Sequence, residues 1–306
     1  MTATLIFEQA LNGLQFGLML FLLAAGLTLV FGIMDMINLA HGSLYMIGAY
    51  LTAAATQASG SFITGLLAGA IGTAVVGTLL ELTVLRRLYK RDHLAQVLGT
   101  FAILMMANEG VRMIWGSQPI QLNPPAALAG PVELWDGFSY PAFRLLIIGV
   151  GLAVAALLYV LVTRTRVGMW VRAGASNREM AMAMGANIKT LFTCVFAFGA
   201  ALCAVAGGLL GPLVAVQVGM GESILILAFV VIVIGGIGSI RGALMGSLLV
   251  GVVDTVGRTF VPAALGSVLG PSAASGAGPA LSSILIYVLM AVVLFVKPQG
   301  LFPARG

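Results

Sequence analysis

Nine apolar runs, most of them near twenty residues long, divide this chain at short polar intervals. A run of about twenty apolar residues is what an α-helix needs to cross a hydrocarbon core of about 30 Å. The runs fall near residues 11–33, 40–58, 62–85, 94–114, 142–163, 190–213, 223–238, 243–257 and 280–297, the seventh and eighth being short and broken by glycine. They predict an all-α integral membrane protein with about eight transmembrane helices, including broken or short ones. With only 8% charged residues, 60% hydrophobic residues and a mean hydropathy of +1.09, the chain cannot be a soluble globular domain. The residues preceding the first run, Met1–Ala10, carry Glu8 and no basic residue, so that run lacks the n-region of a cleaved signal peptide and is expected to stay as the first span.

Charge then sets sidedness. Arg164, Arg166, Arg172, Arg178 and Lys189 face one acid, Glu179, in a loop short enough for the positive-inside rule, which puts residues 164–189 in the cytoplasm. Counting outward places 86–92 and the tail with Lys297 and Arg305 on the same side. Of the fifteen basic residues, eleven fall in these three segments. Residues 115–141, with Glu133 and Asp136 but no basic residue, fall outside. The N-terminus is therefore expected outside and the C-terminus inside. The basic pI near 9.6 reflects this topology rather than a nucleic-acid partner, and the apolar spans have membrane lipid as their partner.

No composition shift or long linker separates domains, so residues 1–306 are read as one membrane domain. The external segment holds five prolines and two tryptophans, which favour a semi-rigid, extended cover with aromatic anchors at the interface. It can dock an external partner or simply lie on the membrane surface. A second outer segment, 258–279, is rich in Pro, Gly, Ser and Ala and reads as a partly mobile loop.

Chemistry is sparse. Cys194 and Cys203 lie about 13 Å apart along one helix, too far to bridge. No metal-ligand spacing, nucleophile–base arrangement or Walker A sequence occurs, so the chain is not an enzyme and not itself an ATPase. Intramembrane polar groups mark pathways when they are not locally satisfied. In G-I-M-D-M-I-N-L-A-H-G, Asp35, Asn38 and His41 interrupt apolar sequence beside Gly42. They either line a pathway or form a capped turn at the cytoplasmic interface. A second break, V-I-G-G-I-G-S-I-R-G-A-L-M-G, carries Gly236, Gly238, Gly242 and Gly246, the last three of which would stack on one face of a continuous helix. The two breaks share a layout, which hints at a repeat around a midplane site. Glu109 with Arg112 reads as a local ion pair, and Glu81 and Asp254 are poor candidates for a proton or ion site.

Within 164–189, Ser176 or Asn177 can cap a helix of about two to three turns, with Glu179 in its first turn and Gly185 and Asn187 closing it. Met180, Met182 and Met184 alternate with Ala181 and Ala183, a surface suited to a contact that repacks. An amphipathic loop lying on the membrane interface is the alternative.

E-M-A-M-A-M-G-A at 179–186 resembles the E-A-A-x-x-x-G-A coupling helix of ABC importer permeases, matching at Glu179, Ala181, Gly185 and Ala186, without the downstream proline. Together with G-L-T-L-V-F-G-I-M-D-M-I-N-L-A-H-G-S-L-Y-M-I-G-A-Y at 26–50, G-G-I-G-S-I-R-G-A at 235–243 and K-P-Q-G-L-F at 297–302, it resembles the branched-chain amino-acid ABC permease family, H-type membrane subunit. Arg241 stands where that family commonly has proline. The resemblance implies the ABC importer permease fold and an ATP-driven importer in the bacterial inner membrane, for branched-chain amino acids or for urea, short amides or aromatic acids. It implies a second, M-type permease, two cytoplasmic ATPases that use ATP and Mg, a periplasmic binding protein, and no cofactor bound directly. It assigns ATPase coupling to Asn177, Glu179, Ala181, Ala183, Gly185 and Ala186, while the two breaks themselves offer Asn38, His41, Gly42, Gly236, Gly238 and Gly242 as candidates for the substrate pathway. A proton- or sodium-coupled carrier and a structural membrane protein are the other readings.

Overall fold

The computed structural model describes residues 3–34, 36, 38–89, 91–135 and 137–303. Asp35, one of the polar residues of the first break, lies outside them. In order, the elements are α1 (Ala3–Met34), α2 (Ala40–Ser59), α3 (Phe62–Leu80) continued by a π-helical turn (Glu81–Leu85) and α4 (Arg86–Leu88), α5 (His93–Trp115), β1 (Pro131–Trp135), β2 (Phe138–Pro141), α6 (Ala142–Arg164), α7 (Arg166–Ser176), α8 (Arg178–Ala183), α9 (Ile188–Leu210), α10 (Met220–Gly235), α11 (Ile240–Leu269), α12 (Pro271–Gly276) and α13 (Gly278–Val296). Among the described residues, seven helical segments are long and apolar enough to cross a membrane, and α10 is a shorter apolar helix. The all-α membrane architecture is as expected.

The core is built around α1, which packs on α6, α9, α10 and α11. From Leu18 to Ala25 its side chains are almost wholly removed from the surface. Because lipid is as apolar as leucine, helices here associate by close packing of small residues. On α3 the division is visible residue by residue. Gly65, Gly69, Thr73 and Gly77 are buried toward α2 and α9, while Ile63, Leu67, Ile71 and Val75 are exposed on the other face. Small residues point inward and large apolar ones toward lipid. At the α1–α11 crossing, a methyl group on Gly17 would sit 2.8 Å from the Ser247 carbonyl oxygen, so only glycine fits.

Four expectations are corrected. The first helix begins at Ala3, eight residues before the expected span. The eighth run is not short: α11 has 30 residues and accommodates Pro262 within it. Consequently 258–279 is mostly helical, comprising the end of α11, α12 and the start of α13. Its small residues serve helix contact: a methyl on Gly278 would meet the Pro262 side chain at 2.9 Å, and just beyond the segment Ser282 Oγ of α13 donates to the Gly257 carbonyl of α11 at 2.9 Å. Finally, Gly238 does not stack with Gly242 and Gly246. It lies in the turn before α11 with φ +78°, while Gly242 and Gly246 pack on Gly235 and Val231 of α10.

The 115–141 segment carries a β1–β2 antiparallel hairpin. The Trp135 and Phe138 rings stack at 4.6 Å, and Phe7 of α1 meets both edge-on at 4.7 and 5.4 Å. Ile120 and Val216 exchange backbone hydrogen bonds of 2.8 and 2.9 Å, tying the loop to the α9–α10 connection. Tyr140 donates to Asn12 Oδ1 at 2.9 Å, and Arg144 binds the same oxygen. Burial raises the Tyr140 phenol pKa, with the Arg144 guanidinium opposing it.

Candidate coupling loop and the two helix breaks

Between α6 and α9 the chain forms two helices rather than the single one expected. Thr165 Oγ1 accepts from Gly168 N at 3.2 Å and starts α7, which buries Gly168, Val171 and Gly174 and exposes Val167, Met169 and Trp170. At Asn177 the backbone is extended (φ −151°, ψ 104°), and Oδ1 accepts from Met180 N at 2.9 Å. Asn177, not Ser176, is thus the cap, and Ser176 ends α7. The six-residue α8 follows, with Glu179 in its first turn where the helix dipole favours a carboxylate.

The end of α8 is equally defined. Gly185 takes φ +89°, its N–H donating to Met182 O at 2.9 Å, and Ala186 N–H donates to Ala181 O at 3.0 Å. These two bonds form a Schellman closure, which needs a left-handed residue at this position and therefore favours glycine. Asn187, expected to close the helix with Gly185, takes no part in it. Its Oδ1 accepts from Thr190 N at 3.2 Å and caps α9 instead. Ala181 is buried against the rest of the protein, whereas Glu179, Ala183 and Gly185 are exposed and Met184 is 83% exposed. Met180 and Met182 are also exposed. A short helix fixed at both ends thus displays three methionines.

The pathway candidates are divided between packing and cavity. Asn38 is buried, its Oδ1 accepting from Ala40 N at 3.1 Å in a turn that leads into α2, whose N-cap position is Leu39; Ser239, by contrast, caps α11 by accepting from Gly242 N at 3.1 Å. His41 is also buried, with Nε2 2.9 Å from Cys203 Sγ. It occupies a notch left by missing side chains: a methyl on Gly26 would lie 3.0 Å from Nε2. Gly42 abuts Gly221 of α10, Gly242 abuts Gly235, and Gly236 abuts Phe302 and Pro303. The two breaks meet, since a methyl on Gly32 would reach Gly238 Cα at 3.2 Å.

Beside that meeting point a cavity of about 900 Å³ opens between α1, α6, α7, the 237–241 turn and residues 301–303. Thr28, Gly32, Tyr159, Arg172, Gly238 and Arg241 line it, so of the six pathway candidates it receives Gly238 alone. The Arg241 guanidinium lies 5.7 Å from the Tyr159 ring centroid, a cation–π distance. Arg172 is bound to the Val162 carbonyl oxygen.

Four acids of the long helices have side-chain partners. Asp254 and Arg258 meet at 2.8 Å, Glu109 and Arg112 at 3.2 Å as expected, and Glu222 accepts from Asn108 at 2.6 Å. Glu81, dismissed from sequence as a poor site, is completely buried and bound to Arg86, Tyr89 and Thr193. Its only sequence signal was the pairing of a carboxylate with Arg86 five residues on, a spacing an α-helix does not bring together. Burial and the Glu81 charge raise the Tyr89 phenol pKa.

Comparison with known proteins agrees over almost the whole chain. The family described as "Branched-chain amino acid transport system / permease component" matches residues 9–294. The high-affinity branched-chain amino acid transport system permease protein BraD of Pseudomonas aeruginosa is 30% identical, covering 96% of this chain and 94% of that protein. The corresponding protein LivH of Escherichia coli K12 is 28% identical over the same shares. A probable branched-chain amino acid transport permease protein LivH of Methanocaldococcus jannaschii is 26% identical over 92% of this chain and 88% of its own length. No solved structure matches. A multi-helix membrane chain matched from its first helix to its last by these permeases belongs to the branched-chain amino acid transport permease family.

Proposed function

We propose that this chain is a translocation subunit of an ATP-driven importer in the cytoplasmic membrane, and that α8 is the element through which separate ATPase subunits act on it. The names of its relatives support branched-chain amino acids as cargo; urea, short amides and aromatic acids are the related solutes to be compared. Partners are a second permease, two ATPases that bind ATP and Mg, and a binding protein on the outer face. The observation that carries this reading is the construction of α8. Asn177 and Gly185 fix both of its ends, and Met180, Met182 and Met184 stand exposed between two membrane spans. Flexible thioethers suit a contact that must repack between states. To do work, that contact must differ in strength between the two states of the ATPase dimer.

The loop 164–189, the 86–92 turn and the C-terminus face the cytoplasm in this proposal, and the hairpin faces out. Asn38, His41 and Gly42 then hold α1, α2, α9 and α10 around the inner part of the path. Gly236, Gly238 and Gly242 shape the second break beside the cavity. A proton-coupled carrier would need an acid free to titrate along the path, whereas Glu81 and Asp254 are both held by arginine.

Cross-linking tests the docking directly. With Met184→Cys in the assembled transporter, a short bifunctional thiol reagent should join this chain to an ATPase subunit carrying cysteines in its membrane-facing cleft, with a yield that changes between nucleotide-free and ATP-bound states. Cross-linking to no ATPase position in either state would refute the proposal.

A further inference from the structure

The end of α3 is tied to α9 by a buried polar joint. After Leu80 the helix widens into a π-turn in which Arg86 N–H donates to the Glu81 carbonyl five residues back. In a regular α-helix, at 3.6 residues per turn, residues five apart point about 140° away from each other. The wider turn brings them to one side, and Arg86 Nη2 reaches Glu81 Oε2 at 3.1 Å and Nε reaches Oε1 at 3.3 Å. Such turns recur at functional sites.

The partner on the other helix is Thr193, the sixth residue of α9, in its second turn. Its hydroxyl donates to Glu81 Oε2 at 2.7 Å and accepts from Arg86 Nη2 at 2.8 Å, closing a three-membered network. Glu81 is wholly excluded from the surface, and a buried carboxylate stripped of its partners is costly, so the two helix ends cannot separate without loss. Two routes run from this joint to α8. One is the chain itself, because α9 begins at Ile188, immediately after the Gly185 closure. The other is lateral. Tyr89 donates to Glu81 Oε1 at 3.3 Å, its ring meets Phe192 edge-on at 5.7 Å, and the Arg178 guanidinium at the start of α8 lies 5.5 Å from the Phe192 centroid.

We propose that Glu81 and Thr193 are positioning residues that make the end of α3 follow α9 whenever α8 is displaced, so that movement at the ATPase contact reaches the helices that pack on α2. This rests on the reading of α8 as the ATPase-docking helix. Neither residue touches the ATPase or the transported solute; their role is to transmit.

The test uses the complete transporter in proteoliposomes, with labelled leucine as probe, and reads uptake per ATP hydrolysed, a ratio that does not depend on abundance. Thr193→Val keeps size and removes the hydroxyl, and Thr193→Ser restores it. Thr193→Val is expected to keep normal ATPase co-purification while uptake per ATP falls roughly fivefold, within the range of single contacts in a coupling network. Thr193→Ser should behave as the unmodified chain. Glu81→Gln should act in the same direction as Thr193→Val, and the double variant should be no worse than Glu81→Gln alone. Normal coupling in Thr193→Val, or loss of ATPase co-purification from it, would overturn the inference while leaving the assignment of α8 intact. Normal coupling and co-purification in a Gly185→Val control would remove the assignment of α8, and the transmission route with it.

Discussion

Gly42 of α2 and Gly221 of α10 lie backbone against backbone: a methyl group on Gly42 would stand 2.5 Å from the Gly221 carbonyl oxygen. No rotamer can relieve that approach, because the obstacle is main chain rather than the tip of a flexible side chain. The two helices must therefore move apart or shift along each other to admit any larger residue. Gly42→Ala should destabilise the protein by about 1–3 kcal/mol, the usual cost of overpacking a tight interface. Thermal unfolding in detergent should show a lowered midpoint, and Gly42→Val a larger drop. An unchanged midpoint for both would mean that this contact is loose in the protein.

Sidedness follows from where the basic residues fall. A cysteine at Ser117 should react with an impermeant thiol reagent in intact cells, and a cysteine at Asn177 should react only after permeabilisation. Equal labelling of both, or the reverse pattern, would contradict the topology.

Asn38 and His41 hold the start of α2 in place from within. Loss of the Asn38–Ala40 hydrogen bond costs about 1 kcal/mol, and leucine at 41 cannot bond to Cys203 from the notch beside Gly26 and Gly199. Asn38→Leu and His41→Leu should therefore reduce uptake several-fold while ATPase co-purification stays normal. Wild-type uptake from both would reduce the first break to an ordinary capped turn.

Much of this architecture was legible because lipid imposes a simple length rule, and the helices appear where apolar runs near twenty residues occur. In lipid, small residues are packing surfaces, so the Gly-, Ser- and Ala-rich stretch 258–279 reads as a loop although Gly278 lets α13 approach Pro262 of α11. Gly238, grouped by spacing with Gly242 and Gly246, proved to be a turn residue with positive φ. At the loop, Asn177 and Gly185 were readable because capping and left-handed closure depend on local residue type. The Glu81 joint was not readable. It needs a π-turn and a contact with Thr193, 112 residues away, and neither leaves a periodic trace in sequence.

Gly185 holds the end of α8 closed. Its φ of +89° is one that a β-branched residue adopts only at a cost of about 1–3 kcal/mol, yet an added methyl group there meets nothing within 4 Å inside the chain. Gly185→Val should therefore leave the membrane subunit inserted at normal abundance while distorting the end of α8. The decisive measurement is ATPase co-purification together with ATP hydrolysis stimulated by ligand-loaded binding protein, in membranes where abundance is measured alongside. The expected result is weak co-purification and no stimulation. Normal co-purification with normal stimulation would contradict the assignment of α8 as the coupling helix.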